Sequence, residues 1–209
     1  MTGLERIAPL TGAAYVVASI VGVSLVAVGV DYLDEPSVIQ ATLQDNSGRI
    51  LGGSWLAMVG AVLLLWFSGT LWKTLRAQEG EGGRVSVIAF GGGVVTSGLL
   101  LVSNAIYASA AERAGKTGIP AETATGLWDL AGHLWGGGAP VALAAAVGGA
   151  ALVVLRHGGF PDWWGWLSGA LAVALLIVPI SWIAFIVAHA WILVLSIWLF
   201  VREGRAIRA

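Results

Sequence analysis

The chain has 209 residues, 57% hydrophobic and only 11% charged, with a net charge of −1. Soluble domains average about 25% charged residues, so a water-soluble core is excluded in favour of lipid, and the near-neutral balance gives no reason to expect nucleic acid. The absence of cysteine excludes disulfides, thiolate metal sites and haem attached through thioethers.

Six apolar blocks follow one another, at about 8–30, 50–72, 85–108, 126–155, 163–179 and 181–201. A bilayer core is roughly 30 Å thick and takes about 20 helical residues to cross. Lipid offers backbone groups no partner, so each block is predicted to be a helix. The first block exceeds the roughly 7–15 apolar residues of a signal peptide and reads as a retained span. The last two belong to one stretch, 165–201, without a single Asp, Glu, Lys or Arg. That stretch is too long for one crossing and is expected to fold back at Pro179. Polar segments join the blocks: DYLDEPSVIQATLQDNSGR, KTLRAQEGEGGR, AERAGKTGIPAETATG and RHGGFPDW. The expected fold is an all-α membrane protein, one domain over 1–209, built as a bundle of six transmembrane helices.

Cationic residues set the expected orientation, because cytoplasmic loops are enriched in them. With the N-terminus inside, the inner segments hold Arg6, Lys73, Arg76, Arg84, Arg156, Arg202, Arg205 and Arg208. The outer segments hold Arg49, Arg113 and Lys116. Both termini are therefore expected to be cytoplasmic, in a bacterial plasma membrane. Trp72, Trp163, Trp164, Trp166 and Trp198 then fall near the inner interface, and Trp55, Trp128, Trp135 and Trp182 near the outer one, where indole rings anchor helices.

The 30 glycines suit close helix packing in lipid. Gly165 with Gly169, and Ala18 with Gly22, have the spacing of such contacts. At Gly136–Pro140, three glycines and a proline also admit a hinge or a broken helix. Short matches in chain order, such as SVIAF at 86–90 against SWIAF at 181–185, admit a 3+3 inverted repeat.

Ionisable groups inside a membrane are costly, and each calls for a reason. Asp129 and His133 are four apart and share a helix face. Counting about 20 residues back from Arg156 puts them at or just beyond the outer interface. They read either as a hydrogen-bonded helix end or as a ligand- or metal-binding pair in which Asp129 orients the imidazole. Further metal ligands would have to come from Asp31, Asp34 or Glu112. His189 is roughly 12 Å into the last span, at about 1.5 Å per residue from Ser181. Ser181, Phe185, His189 and Ser196 share one face, expected to point into the bundle. His189 reads as bonded to a neighbouring helix, as a proton-coupled group, or as a haem ligand. Haem would want a second axial ligand at similar depth. Asn104, with Ser97 two turns before it, reads as an interhelical hydrogen bonder or as part of an outer pocket with Asp129 and His133. No phosphate-binding loop, HExxH, mid-span lysine, selectivity filter or arginine ladder is present. No catalytic residue, metal or cofactor is assigned.

The stretches Ala8-Pro-Leu-Thr-Gly12, Trp66-Phe-Ser-Gly-Thr-Leu71 and Phe160-Pro-Asp-Trp-Trp-Gly-Trp166 resemble an uncharacterised family of small six-span integral membrane proteins of actinobacteria. That resemblance implies six spans and supplies no site residues. The leading expectation is non-enzymatic binding of a small ligand or lipid in an outward-facing pocket through Asp129, His133, Asn104 or His189. An accessory role beside a partner membrane protein or a second copy stands with it. The alternatives are a small secondary transporter, proton-linked through His189, and an intramembrane enzyme or haem protein.

Overall fold

The computed structural model describes the backbone of residues 3–31 and 33–206, and side chains within 5–31 and 33–202. Of the cations counted above, Arg208 and the side chain of Arg205 lie outside the described residues. Nine α-helices are ordered along that part of the chain: α1 (Gly3–Ile7), α2 (Leu10–Val26), α3 (Pro36–Asp45), α4 (Ser47–Glu79), α5 (Arg84–Lys116), α6 (Ala121–His133), α7 (Ala139–His157), α8 (Asp162–Leu176) and α9 (Ser181–Ala206). No strand occurs among the described residues. A π turn, Leu134–Gly138, joins α6 to α7 without a break, and a 3-10 turn, Val178–Ile180, carries Pro179 between α8 and α9.

Four stretches are long and apolar enough to cross a membrane: Ser47–Glu79, Arg84–Lys116, Ala121–His157 and Val178–Arg202. The apolar helices α2 and α8 are shorter, at 17 and 15 residues. Packing follows chain order, α2 on α4, α4 on α5, α5 on α7 and α7 on α8, and α9 closes the ring against α2 and α8. The α4–α5 hairpin is in contact along its length. The α8–α9 hairpin, its counterpart in a 3+3 repeat, is more loosely joined.

The closest seams use pairs of small residues. A Cβ on Gly22 would lie 2.8 Å from the Gly53 carbonyl oxygen, and one on Gly92 would lie 2.5 Å from the Ala146 nitrogen. Without a hydrophobic effect between helices in lipid, this close approach supplies the dispersion contact that holds them. Of the spacing noted at Gly165 and Gly169, only Gly165 is tight, against the Leu155 side chain.

Residues near the two ends of the described chain meet at one end of the bundle. The Arg6 guanidinium lies over the Phe200 ring, 6.0 Å from its centroid. Ser196 Oγ donates to the Pro9 carbonyl at 2.5 Å and accepts from the Ala13 N–H at 3.0 Å. The hydroxyl thereby inserts into the first turn of α2. At that same end, the Glu79 carboxylate accepts from the N–H groups of Val85 and Ser86 at 2.8 and 2.7 Å, capping α5.

Three boundaries differ from expectation. The helix of the first block stops at Val26 rather than near residue 30, where Arg49 donates to the carbonyls of Ser24 and Ala27 at 2.9 and 3.3 Å. Helices α4 and α5 each have 33 residues, about 50 Å at 1.5 Å per residue, and outrun the expected blocks at both ends. The segment after the first block is not merely a polar connection, because it contains α3. Ile39 and Leu43 of α3 are fully buried with Ile50, Ala110, Ala111, Ala114, Ile119 and Ala124. This forms a second core at the end of the bundle opposite the chain ends. An amphipathic helix covering projecting helix ends is what water, not lipid, demands.

The Gly92 seam can be tested by stability. Gly92→Ala forces the α5–α7 backbones apart and is expected to cost about 1–3 kcal/mol of unfolding free energy in detergent. Gly91→Ala, whose Cβ meets nothing within 4 Å, is expected to cost under about 0.5 kcal/mol. Equal effects in a denaturant titration would refute the seam.

Candidate functional site

The π turn has a local cause. Pro140 has no N–H, and its ring would collide with the Gly136 carbonyl in a regular helix. Widening the turn relieves the collision, and the Ala139 N–H reaches back to the Leu134 carbonyl. From α5, Ser103 Oγ donates to the Ala131 carbonyl at 2.8 Å, just before the turn. The hinge or break admitted by Gly136–Pro140 is thus a continuous helix with one expanded turn.

That turn opens onto a cleft of about 470 Å³ between α6–α7 and the α8–α9 hairpin. Asp129, His133, Gly136 and Gly137 line one wall, and Leu175, Val178, Ser181 and Trp182 the other, with Trp128 at the side. A Cβ on Gly136 or Gly137 would meet nothing within 4 Å, so the cleft reaches the bare backbone. Trp128 is steadied edge-on by Tyr107, at 4.7 Å between centroids. Asp129 and His133 both line this cleft. His133 Nδ1 donates to the Asp129 backbone carbonyl at 2.8 Å.

Asn104 does not join them. It is 3% exposed inside α5, where its Nδ2 donates to the Leu100 carbonyl, and Ser97 likewise bonds Gly93. The further ligands considered for a metal are engaged elsewhere. Asp31 and Asp34 close a turn on the backbone N–H groups of Leu33 and Asp31, and Glu112 pairs with Lys116 at 2.6 Å. No group of three His, Cys, Asp or Glu side chains suited to a metal ion occurs among the described residues.

His189 lies in a second cleft of about 420 Å³ between α2 and α9. Its stripe does point inward: Ser181, Phe185, His189 and Ser196 are all buried. Nδ1 faces the Phe185 carbonyl at 2.8 Å, and a carbonyl only accepts, so Nδ1 carries the proton of the neutral ring. Nε2 is then the acceptor, with Tyr15 Oη and Ser19 Oγ each 3.0 Å away. Tyr15 also stacks on the imidazole, at 5.2 Å between centroids. Both partners went unnoticed in the sequence. Their signal was two hydroxyls one turn apart, in a block otherwise almost wholly apolar.

Phe185 lies between the two clefts. It is fully buried, one turn from Ser181 in the first cleft and one turn from His189 in the second. Trp135, from the π turn, meets it edge-on at 5.3 Å. Trp135 lines the second cleft, and Phe185 packs behind it. Trp135 accordingly serves as an internal wall rather than an interface anchor. Trp164 is also internal, 9% exposed and stacked on Trp191, whereas Trp55, Trp163, Trp166 and Trp182 are exposed as anchors would be.

Comparison with family models, curated proteins and solved structures finds no match to this chain.

Proposed function

We propose that the chain is a six-span protein of a bacterial plasma membrane, with both termini cytoplasmic, related to the small actinobacterial proteins it resembles. In this reading α2 and α8 join the four longer stretches as spans. The meeting of the chain ends at one end of the bundle supports an even number of crossings. The clustering of Lys73, Arg76, Arg84, Arg156 and Arg202 on the same side supports its being the inner one.

Its function is non-enzymatic binding of a small amphipathic ligand with a cationic head in the outward-facing cleft. The observation that carries this is the meeting, in one apolar cleft, of a carboxylate (Asp129), the two indoles Trp128 and Trp182, and bare glycine backbone. A carboxylate beside aromatic faces attracts a cation by charge and by the ring quadrupole. Leu175, Leu176, Val178 and Val141 offer the apolar tail a dry wall. Dodecyltrimethylammonium and uncharged dodecyl maltoside serve as probes against the protein in lipid nanodiscs. Asp129→Asn is expected to weaken the cationic probe about fivefold, roughly 1 kcal/mol for a half-buried ion pair, and to leave the neutral probe unchanged. Equal binding of both probes by the native protein would end this reading.

One observation favours a second reading, a small proton-linked secondary transporter. A single stripe of α9 runs from the outer cleft past Phe185 to His189, so movement of the Trp135–Phe185 pair would join the clefts. It predicts uptake of the cationic probe into proteoliposomes driven by a pH gradient and abolished by His189→Ala. Binding without gradient-driven uptake would leave the protein a binder only.

A further inference from the structure

The second cleft has a polar floor in an otherwise apolar groove, a Tyr15–Ser19–His189 cluster that opens onto the groove at Ser19. His189 Nδ1–H is committed to the Phe185 carbonyl, which leaves Nε2 a single lone pair. Two hydroxyls stand 3.0 Å from it, and only one can donate well. Tyr15 is 1% exposed and lies behind the groove, so its proton has no outlet except this cluster. Ser19, 6% exposed, lines the groove itself. With Tyr15 donating to Nε2, the Ser19 hydroxyl can turn its proton into the groove. The other hydroxyl there, Ser24, is committed to the Ile20 carbonyl at 2.7 Å.

The groove walls describe the rest of the ligand. Trp135 supplies a flat aromatic side. Ile20 and Ile186, each 57% exposed, flank the opening and face outward from the bundle. Nine residues separate Ser19 from the start of α2, and eight separate His189 from the start of α9. At about 1.5 Å per residue, the floor is roughly 12–14 Å from each helix end, near mid-membrane depth. A ligand reaching it travels through the lipid, carries one hydrogen-bond acceptor, and has a planar head. We propose that this groove binds a lipid-dissolved quinone. One carbonyl accepts from Ser19, the ring lies along Trp135, and the apolar tail leaves between Ile20 and Ile186. Tyr15 and His189 are positioning residues that direct the Ser19 proton outward. This site is separate from the outer cleft, and neither proposal depends on the other.

The test uses the full chain in quinone-free nanodiscs, with decylubiquinone as probe and decylbenzene as the same tail without a carbonyl. Decylubiquinone is expected to bind saturably, above its partitioning into empty discs, with its carbonyl stretch shifted to lower frequency in infrared difference spectra. Ser19→Ala is expected to lower affinity about tenfold and remove the shift while the unfolding midpoint stays native. Ser24→Ala is expected to change neither. Absence of saturable uptake, equal binding of decylbenzene, or a shift that survives Ser19→Ala would each overturn the assignment.

Discussion

Pro140 has no N–H to give the Gly136 carbonyl, and its ring would collide with that carbonyl in a regular helix. Most of what is distinctive here follows from how that carbonyl is accommodated. The helix widens into a π turn rather than breaking. The glycines before Pro140 let the expanded backbone form without side-chain crowding, and Gly136 and Gly137 become part of a cleft wall. The turn also projects Trp135 onto Phe185, beside the second cleft. A regular helix through this segment would place neither the glycines nor the indole where they are.

The same demand for internal partners explains the serines. Ser196 completes the first turn of α2, Ser103 supports the carbonyl before the π turn, and Ser168 accepts from the Trp191 indole at 2.9 Å while donating to Trp164. Each such bond contributes modestly, on the order of 0.6 kcal/mol in membrane proteins. Their placement is more telling than their strength. Two of the three tie α9 to a neighbour, Ser196 near the chain ends and Trp191 close to His189, while the part of α9 between Ser181 and His189 is flanked by clefts.

Much of this could be read from the chain. Block positions, the fold-back at Pro179, the inward stripe of α9 and the sharing of a face by Asp129 and His133 depend on local composition and helical period, which a sequence displays directly. What could not be read depends on distant partners. His189 meets Tyr15 and Ser19 across 174 and 170 residues, and no local pattern pairs them. Depth alone leaves Asn104 open between an interhelical contact and the outer pocket, whereas the rotation of α5 buries it and turns its Nδ2 to the Leu100 carbonyl. The segment holding α3 looked like a connection because its charges masked two buried residues, Ile39 and Leu43, one turn apart. The overhang of α4 and α5 was hidden because polar residues at helix ends resemble loop residues until the caps are seen.

The glycine-lined cleft is proposed to face outward and to hold a cationic amphiphile. The chain has no cysteine, so a single one reports without background. Gly136→Cys places a thiol where a side chain meets no neighbour within 4 Å. The measurement is its labelling, in intact cells, by a membrane-impermeant thiosulfonate, with and without prior dodecyltrimethylammonium. Labelling from the outside, slowed several-fold by the amphiphile, is expected. Labelling only after the cells are opened, or at a rate the amphiphile does not change, would contradict it.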